Sequence, residues 1–265
     1  MTRSTGTPTW MDLDTHDLEA GSRFYSGLFG WEYEDTGEQF GHYQLISNDG
    51  ALVGGAMDIS GFPGPDGNPL PNTWTVYLTV DSVDARLEKA LAAGATSPTP
   101  PMDIGTRGRM VLFTDPTGAR IGLWEPKDLE GYAFTGAPGS PGWFELMTSH
   151  FDEAVAFYTD VFDVDLVPMT EPMEDDSFRY VTSGAGDQAE WGLGDATGVM
   201  PEEATGWRVY FIVPSCDPAA EKVKELGGSV LDGPVDSPFG RIATIADPTG
   251  TTFQIVAVSE AVPEG

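Results

Sequence analysis

The sequence predicts an α+β fold of four βαβββ modules, arranged as two tandem domains with cupped mixed sheets. Three observations carry that prediction. The first is an internal duplication. Trp10-Met11-Asp12-Leu13 opens a segment leading to Phe24-Tyr25 and Phe29. Trp143-Phe144-Glu145-Leu146 opens a second one leading to Phe157-Tyr158 and Phe162, at an offset of 133 residues. The same offset relates Trp74 to Trp207, Tyr77 to Tyr210 and Gly94 to Gly227, and it falls to 132 for Gly108-Arg109 against Gly240-Arg241. The second observation is that each copy divides again into a strand, a helix and further strands. The third is a turn signature, Asp115-Pro-Thr-Gly118 and Asp247-Pro-Thr-Gly250, placed before the last strand of each copy. A repeat of this length fixes the architecture before any site is considered.

The elements follow in chain order. Thr9–Thr15 alternates apolar and polar residues and is predicted as a strand. Asp17 is placed to cap a helix running to about Phe29, with Leu18, Phe24, Tyr25, Leu28 and Phe29 on one side. His42–Ile46 and Ala51–Met57 are strand candidates, followed by the Gly/Pro-rich loop Gly61–Pro71. Thr73–Val80 is a strand, and Val83–Ala93 is a helix closed by Gly94. Arg109–Thr114 and Arg120–Glu125 end the copy. The second copy repeats the plan. Its strands are Gly142–Thr148, Phe178–Thr182, Glu190–Leu193, Trp207–Val213, Arg241–Ile245 and Thr252–Val258. Its helices are Phe151–Phe162 and one starting at Asp217-Pro218 and ending at Gly227-Gly228. The predicted domains are residues 1–127 and 142–265, with 128–141 as a linker rich in Gly, Ala and Pro. Which modules pack together stays open between first with second and first with fourth.

Composition excludes several function classes. The net charge is −29, from 42 acidic against 13 basic residues, and such a surface repels phosphate backbones and anionic membranes. No run approaches the roughly 20 apolar residues of a membrane span. Cys216 is the only cysteine, so no intrachain disulfide forms. The N-terminal residues lack the apolar core of a signal peptide. The expectation is a cytoplasmic monomer or homodimer that binds a small molecule.

Several motifs resemble the vicinal oxygen chelate superfamily, which includes glyoxalase I, bleomycin-resistance proteins and extradiol dioxygenases. They are Asp17-Leu-Glu-Ala-Gly-Ser-Arg-Phe-Tyr25 with Leu28-Phe-Gly-Trp31, Val80-Asp-Ser-Val-Asp84 leading to Ala93-Gly-Ala95, and Asp115-Pro-Thr-Gly118. Within it, Met102-Asp-Ile-Gly105 and Gly122-Leu-Trp124 are similar to a two-domain, glyoxalase-like actinobacterial subgroup that includes a mycobacterial culture-filtrate antigen. The resemblance covers nearly the whole chain. It implies a metal held by His, Gln or Glu on the first, fifth and eighth strands of a module pair. By spacing, those positions fall on Trp10, Thr75 and Gly122 in the first copy, and on Trp143, Arg208 and Gln254 in the second. Neither set suits a divalent ion, because Arg brings a positive charge and no lone pair, and Trp donates only. The three histidines, His16, His42 and His150, have no partner at metal-ligand spacing and are expected to be capping or surface groups. No metal and no cofactor is therefore expected.

Alternation places Trp10, Asp12 and Asp14 on the concave face, because Met11 and Leu13 must face the helix. Thr75, Tyr77 and Trp124 join them, with Tyr43 and His42 as further candidates. In the second copy the concave set is Trp143, Glu145, Arg208, Tyr210 and Gln254. An aromatic wall with a carboxylate suits a small-molecule site. Burial beside Trp would raise a carboxylate's pKa and suit it to proton abstraction next to a carbonyl. Asp12 is the expected base, with Asp14 or Tyr77 as its acid partner. The structural alternative is that Asp12 and Glu145 merely hydrogen-bond a neighbour such as Arg109, Arg241 or a tyrosine hydroxyl. Gly54-Gly55 and Gly122 are expected to leave room for a ligand in the first cup. Three functions follow: metal-independent isomerase, cyclase or lyase chemistry on a natural product or carbonyl metabolite, sequestration of a drug or metabolite, and methylglyoxal detoxification.

Overall fold

The alternation of Pro8–Thr15 builds strand β1, and Asp17 starts the helix after it by accepting a hydrogen bond from the Ala20 amide. The computed structural model describes residues 3–64, 67–169 and 178–261. Its first module is β1 (Pro8–Thr15), α1 (Leu18–Phe29), β2 (Glu32–Asp35), β3 (Gln44–Asn48) and β4 (Ala51–Asp58). The second is β5 (Thr73–Thr79), α2 (Val83–Ala92), β6 (Met102–Ile104), β7 (Gly108–Thr114) and β8 (Arg120–Pro126). The third is β9 (Pro141–Thr148), α3 (Phe151–Phe162), β10 (Val167–Pro168), β11 (Tyr180–Thr182) and β12 (Gly192–Asp195). The fourth is β13 (Gly206–Ile212), α4 (Cys216–Glu225), β14 (Ser229–Ser237), β15 (Gly240–Ala246) and β16 (Thr252–Ala257).

Four βαβββ modules are thus present. Modules one and two form one mixed eight-stranded sheet, β2-β3-β4-β1-β5-β8-β7-β6, and modules three and four form another, β10-β11-β12-β9-β13-β16-β15-β14. Within each module the first and last strands pair in parallel, and the rest pair antiparallel. The fold is α+β, as the repeat predicts.

Four corrections concern where local elements begin. The strand expected from His42 begins at Gln44, because His42 takes a positive φ of 58° that ends extended pairing. The strand expected from Phe178 begins at Tyr180, and that expected from Glu190 begins at Gly192. Helix α4 starts at Cys216, one residue before Asp217. The outermost strands β2, β6, β10 and β14 have no counterpart among the strands identified by alternation. β2 reads Glu-Tyr-Glu-Asp and is mostly exposed, so it carries no buried face to show in the sequence.

Cα packing divides the chain differently from its sheets. One unit comprises the residues up to Trp10 with Thr75–Gly131 and Phe144–Arg208, and the other comprises Met11–Trp74, Tyr132–Trp143 and the residues from Val209 on. In the first unit, Phe113 meets Phe157 at 6.2 Å between centroids, and Tyr158, Phe162, Trp191 and Trp207 are packed around the same helix. In the second, Trp31 and Trp74 lie 5.1 and 5.3 Å from Phe211, and Phe24 and Tyr25 rest on Phe253. Buried indoles need an acceptor. Trp31 donates to the Gly139 carbonyl at 2.8 Å, Trp191 to Gly6 at 3.0 Å, and Trp74 to the Tyr25 hydroxyl at 2.9 Å.

The Asp-Pro-Thr-Gly turns reach into these cores. Asp115 is 4% exposed and accepts from the amides of Thr117 and Ala119 and from the Thr117 hydroxyl, all at 2.9 Å. Its second oxygen accepts from the Tyr158 hydroxyl at 2.8 Å. Burial raises the Asp115 pKa, and burial with Asp115 nearby raises that of Tyr158. Asp247 makes the equivalent turn bonds to Thr249 and Thr251. Among the described residues, no helix is long and apolar enough to cross a membrane.

Candidate functional site

Helix α1 lies over Leu13, whose Cδ2 is 3.4 Å from the position a Cβ would take at Gly21. Met11 and Leu13 therefore face the helix, and Trp10, Asp12 and Asp14 face the other side of β1. These three are 6%, 9% and 6% exposed. The hydroxyl of Tyr43 donates a hydrogen bond to Asp12 Oδ1. The phenol reaches it by crossing Gly55, which is the register partner of Asp12 on β4. A Cβ at Gly55 would occupy the volume of the Tyr43 hydroxyl.

The second copy builds the same device from different residues. Tyr180 donates to Glu145 Oε1 at 2.9 Å. Its ring crosses Gly192, the register partner of Glu145 on β12, and a Cβ at Gly192 would occupy the Tyr180 hydroxyl. Both copies thus hold a carboxylate on the first strand, a tyrosine at or just before the third, and a glycine on the fourth that lets the ring pass. Sequence reasoning singled out Asp12, Tyr43 and Glu145 and missed Tyr180. The signal was a tyrosine twelve residues before a glycine in both copies, Tyr43/Gly55 and Tyr180/Gly192. Those two pairs lie at an offset of 137, not 133, so the insertion between strands hid the match.

The remaining candidates divide by role. Tyr77 and Thr75 are 3% and 2% exposed, and the Tyr77 ring lies over Gly122, its register partner. Trp124 is packed on Gly108, and its indole donates to the Leu129 carbonyl at 2.9 Å. The room expected at three glycines is therefore taken. Tyr43 fills the space at Gly55 and Tyr77 that at Gly122, while a Cβ at Gly54 would lie 3.0 Å from Met11 Cγ, on the helix side. Of the partners expected for the two carboxylates, a tyrosine hydroxyl is found on each, while the two arginines pair elsewhere. Arg109 pairs with Asp84 and Asp103, and Arg241 with Asp217 and Asp236. The Tyr43 hydroxyl, at a position expected only to line the site, donates to Asp12.

The second copy is the more open of the two. Trp143, Glu145, Arg208 and Tyr210 are half-buried where Trp10, Asp12, Thr75 and Tyr77 are buried. Arg208 reaches the Ala204 carbonyl at 2.8 Å and Met200 Sδ at 2.7 Å, which pins the loop ahead of β13. Gln254 pairs in register with Tyr210 and is 4% exposed, and its Oε1 has no hydrogen-bond partner among the described residues. A buried carbonyl oxygen in that state costs roughly 1–3 kcal/mol and suits a donor brought by a ligand.

The other reactive groups serve local structure. His16 Nε2 lies 2.7 Å from the Leu70 carbonyl, His42 pairs with Asp35 at 2.9 Å, and His150 holds the N-cap position of α3. Cys216 is fully buried, and burial pushes its thiol pKa up to about 11, which keeps it protonated and inert. The positions implied as metal ligands do not fit a metal: an indole, a hydroxyl and a bare backbone in one copy, an indole, a guanidinium and an amide in the other. Among the described residues, no three His, Cys, Asp or Glu side chains group closely enough to hold an ion.

Comparison with known proteins bears on the family of the chain. Residues 10–123 match the Glyoxalase-like domain, and residues 140–255 match the Glyoxalase/Bleomycin resistance protein/Dioxygenase superfamily. The chain is 37% identical to the anthracycline biosynthesis protein DauV of Streptomyces sp. (strain C5), over 99% of this chain and 98% of that protein. It is also 37% identical to CFP32 of Mycobacterium tuberculosis, over 95% and 94% of the two chains. Among solved structures, the Mn(II)-bound glyoxalase from Novosphingobium aromaticivorans aligns with a TM-score of 0.63 at 18% identity, covering 99% of this chain and 85% of that one. Two family matches in tandem, full-length relatives and a shared βαβββ plan lead to one assignment. The chain belongs to the Glyoxalase/Bleomycin resistance protein/Dioxygenase superfamily.

Proposed function

We propose that this protein is a small-molecule enzyme that moves a proton on a natural product, without using the metal chemistry of its superfamily. The observation that carries the reading is the tyrosine–carboxylate pair, built twice at matched positions across a glycine. Asp12 is the base, accepting a proton from a carbon next to a carbonyl. Tyr43 fixes the carboxylate's orientation through its hydrogen bond. Asp14, on the same face of β1, is the candidate for returning the proton. Tyr77 lies in the other packing unit and is left out of the set. The substrate class follows from the full-length relatives named for anthracycline biosynthesis. It is a polycyclic aromatic ketone or a precursor of one, and an isomerase, cyclase or lyase would act on it by proton transfer.

Proton transfer is read directly by isotope exchange. An aromatic polyketide ketone is incubated with the protein in heavy water, and deuterium uptake next to the carbonyl is followed by mass spectrometry. Asp12→Asn is expected to slow uptake by about 10²- to 10⁴-fold. Tyr43→Phe keeps the ring and is expected to slow it less. Uptake untouched by Asp12→Asn overturns the assignment of the base, and uptake that requires a stoichiometric divalent ion overturns the metal-free chemistry. A second reading is sequestration without turnover. It is favoured by the half-buried rings of Trp143 and Tyr210, which a bound aromatic ligand would cover. In that case ligand is retained with no deuterium uptake.

A further inference from the structure

Around the tyrosine–carboxylate pair the two copies differ in which side chains fill the neighbouring space. In the second copy, Phe178 stacks on Tyr180, with ring centroids 6.0 Å apart and planes 29° from parallel. Both rings are half-buried. They lie across a strand paved with glycine. Tyr180 crosses Gly192, and a Cβ at Gly194 would come within 3.1 Å of Phe178 Cζ and 2.6 Å of Met147 Sδ. The first copy has the opposite arrangement at the matched positions: Gly41 stands where Phe178 does, and Met57 where Gly194 does. There the methionine fills the space, with its Cε 3.7 Å from the Cβ position of Gly41. The exchange replaces a flexible apolar plug with a flat aromatic shelf.

One carboxylate lies at that shelf, and a second lines a cavity nearby. Glu145 is bonded to the shelf's own tyrosine. Met147, which shares the space over Gly194 with Phe178, also lines a cavity of about 240 Å³ whose wall includes Glu202, Thr205 and Thr148. The loop carrying Glu202 is held by Arg208 through the Ala204 carbonyl. All of these residues lie within one packing unit.

We infer that the Phe178–Tyr180 shelf of the second copy is a binding site for a planar aromatic cation, with the ring stacked on Phe178 and the positive group toward Glu145. A ring face and a carboxylate side by side favour such a ligand by stacking and by charge. The net charge of −29 raises the local concentration of cations further. The site is separate from Asp12 and stands or falls without the proton-transfer reading.

The test uses proflavine, a flat cation, titrated by its own fluorescence at about 0.3 M salt, where diffuse attraction is screened. Anthraquinone-2-sulfonate serves as the flat anion. Proflavine is expected to bind at least about tenfold more tightly than the sulfonate. Phe178→Ala, which leaves every charge in place, is expected to weaken proflavine by about tenfold. Gly194→Met, which restores the first copy's plug, is expected to do the same. Glu145→Gln is expected to narrow the gap between cation and anion. Equal affinity for the two probes overturns the inference. So does proflavine binding that survives both Phe178→Ala and Gly194→Met, or binding weakened by Tyr43→Phe and not by Phe178→Ala, which would move the site to the first copy.

Discussion

Asp115 shows how a single side chain can be both turn and core. Its first oxygen closes the Asp-Pro-Thr-Gly turn, and its second accepts from Tyr158, which in turn accepts from Trp207 at 2.9 Å. Burial raises its folded-state pKa above the ordinary 3.8, against the opposing pull of these donors. A carboxyl raised in this way stabilises the fold fully below pH 3.8, and that contribution is lost as pH rises through the folded value. Asp115→Asn removes the titration. The stability gap between wild type and variant is therefore expected to be widest in acid and to narrow toward neutral pH, as read by urea unfolding at a series of pH values. A gap that widens as pH rises would contradict the burial argument. At this same scale, Asp12 and Glu145 were legible because strand alternation fixes which side chains share a face. Tyr180 was not, because alternation cannot say which tyrosine will cross a glycine on the neighbouring strand.

Among the elements, inner strands were legible and edge strands were not. β1, β5, β8 and β13 alternate or run apolar because a sheet face or a helix covers them, and burial writes itself into sequence. β14 is nine residues long, largely exposed, and broken by a register shift, so only its pairing to β15 identifies it. The glycines of the inner strands carry a different message from the one first read in them. Gly55, Gly122 and Gly192 do not open a cup. They let a tyrosine from a neighbouring strand lie flat. Gly122→Ala is accordingly expected to lift the Tyr77 ring and destabilise the protein by about 1–3 kcal/mol, the usual cost of overpacking a full site. The double variant Gly122→Ala, Tyr77→Ala should recover much of the part of that loss due to the clash, when both are compared with Tyr77→Ala in chemical denaturation. Should Gly122→Ala cost nothing, the space beside β8 is open after all.

Over the whole molecule, hydrogen bonding and packing join the modules in different pairs. Strand pairing links module one with two and three with four. The aromatic cores instead link one with four, through Tyr25 and Trp31 on Phe253 and Phe211, and two with three, through Phe113 and Asp115 on Phe157 and Tyr158. The repeat in sequence is tandem, so a cut after residue 127 looks like a domain boundary. Such a fragment keeps its entire sheet and loses Phe211 and Phe253 from around Tyr25 and Trp31, and Phe157 from beside Phe113. Each fully buried large side chain exposed in this way costs roughly 1.5–3 kcal/mol, and several are exposed at once, against a total stability of about 5–15 kcal/mol. The fragment 1–127 is therefore expected to lack a cooperative thermal transition and a native near-ultraviolet dichroism signal, or to self-associate through the bared faces of α1 and α2. Mixing it with residues 128–265 should restore the signal, since each piece supplies the other's missing core. A fragment that stays monomeric and melts cooperatively alone would show that the sheet suffices, and that the aromatic clusters merely decorate two independent domains.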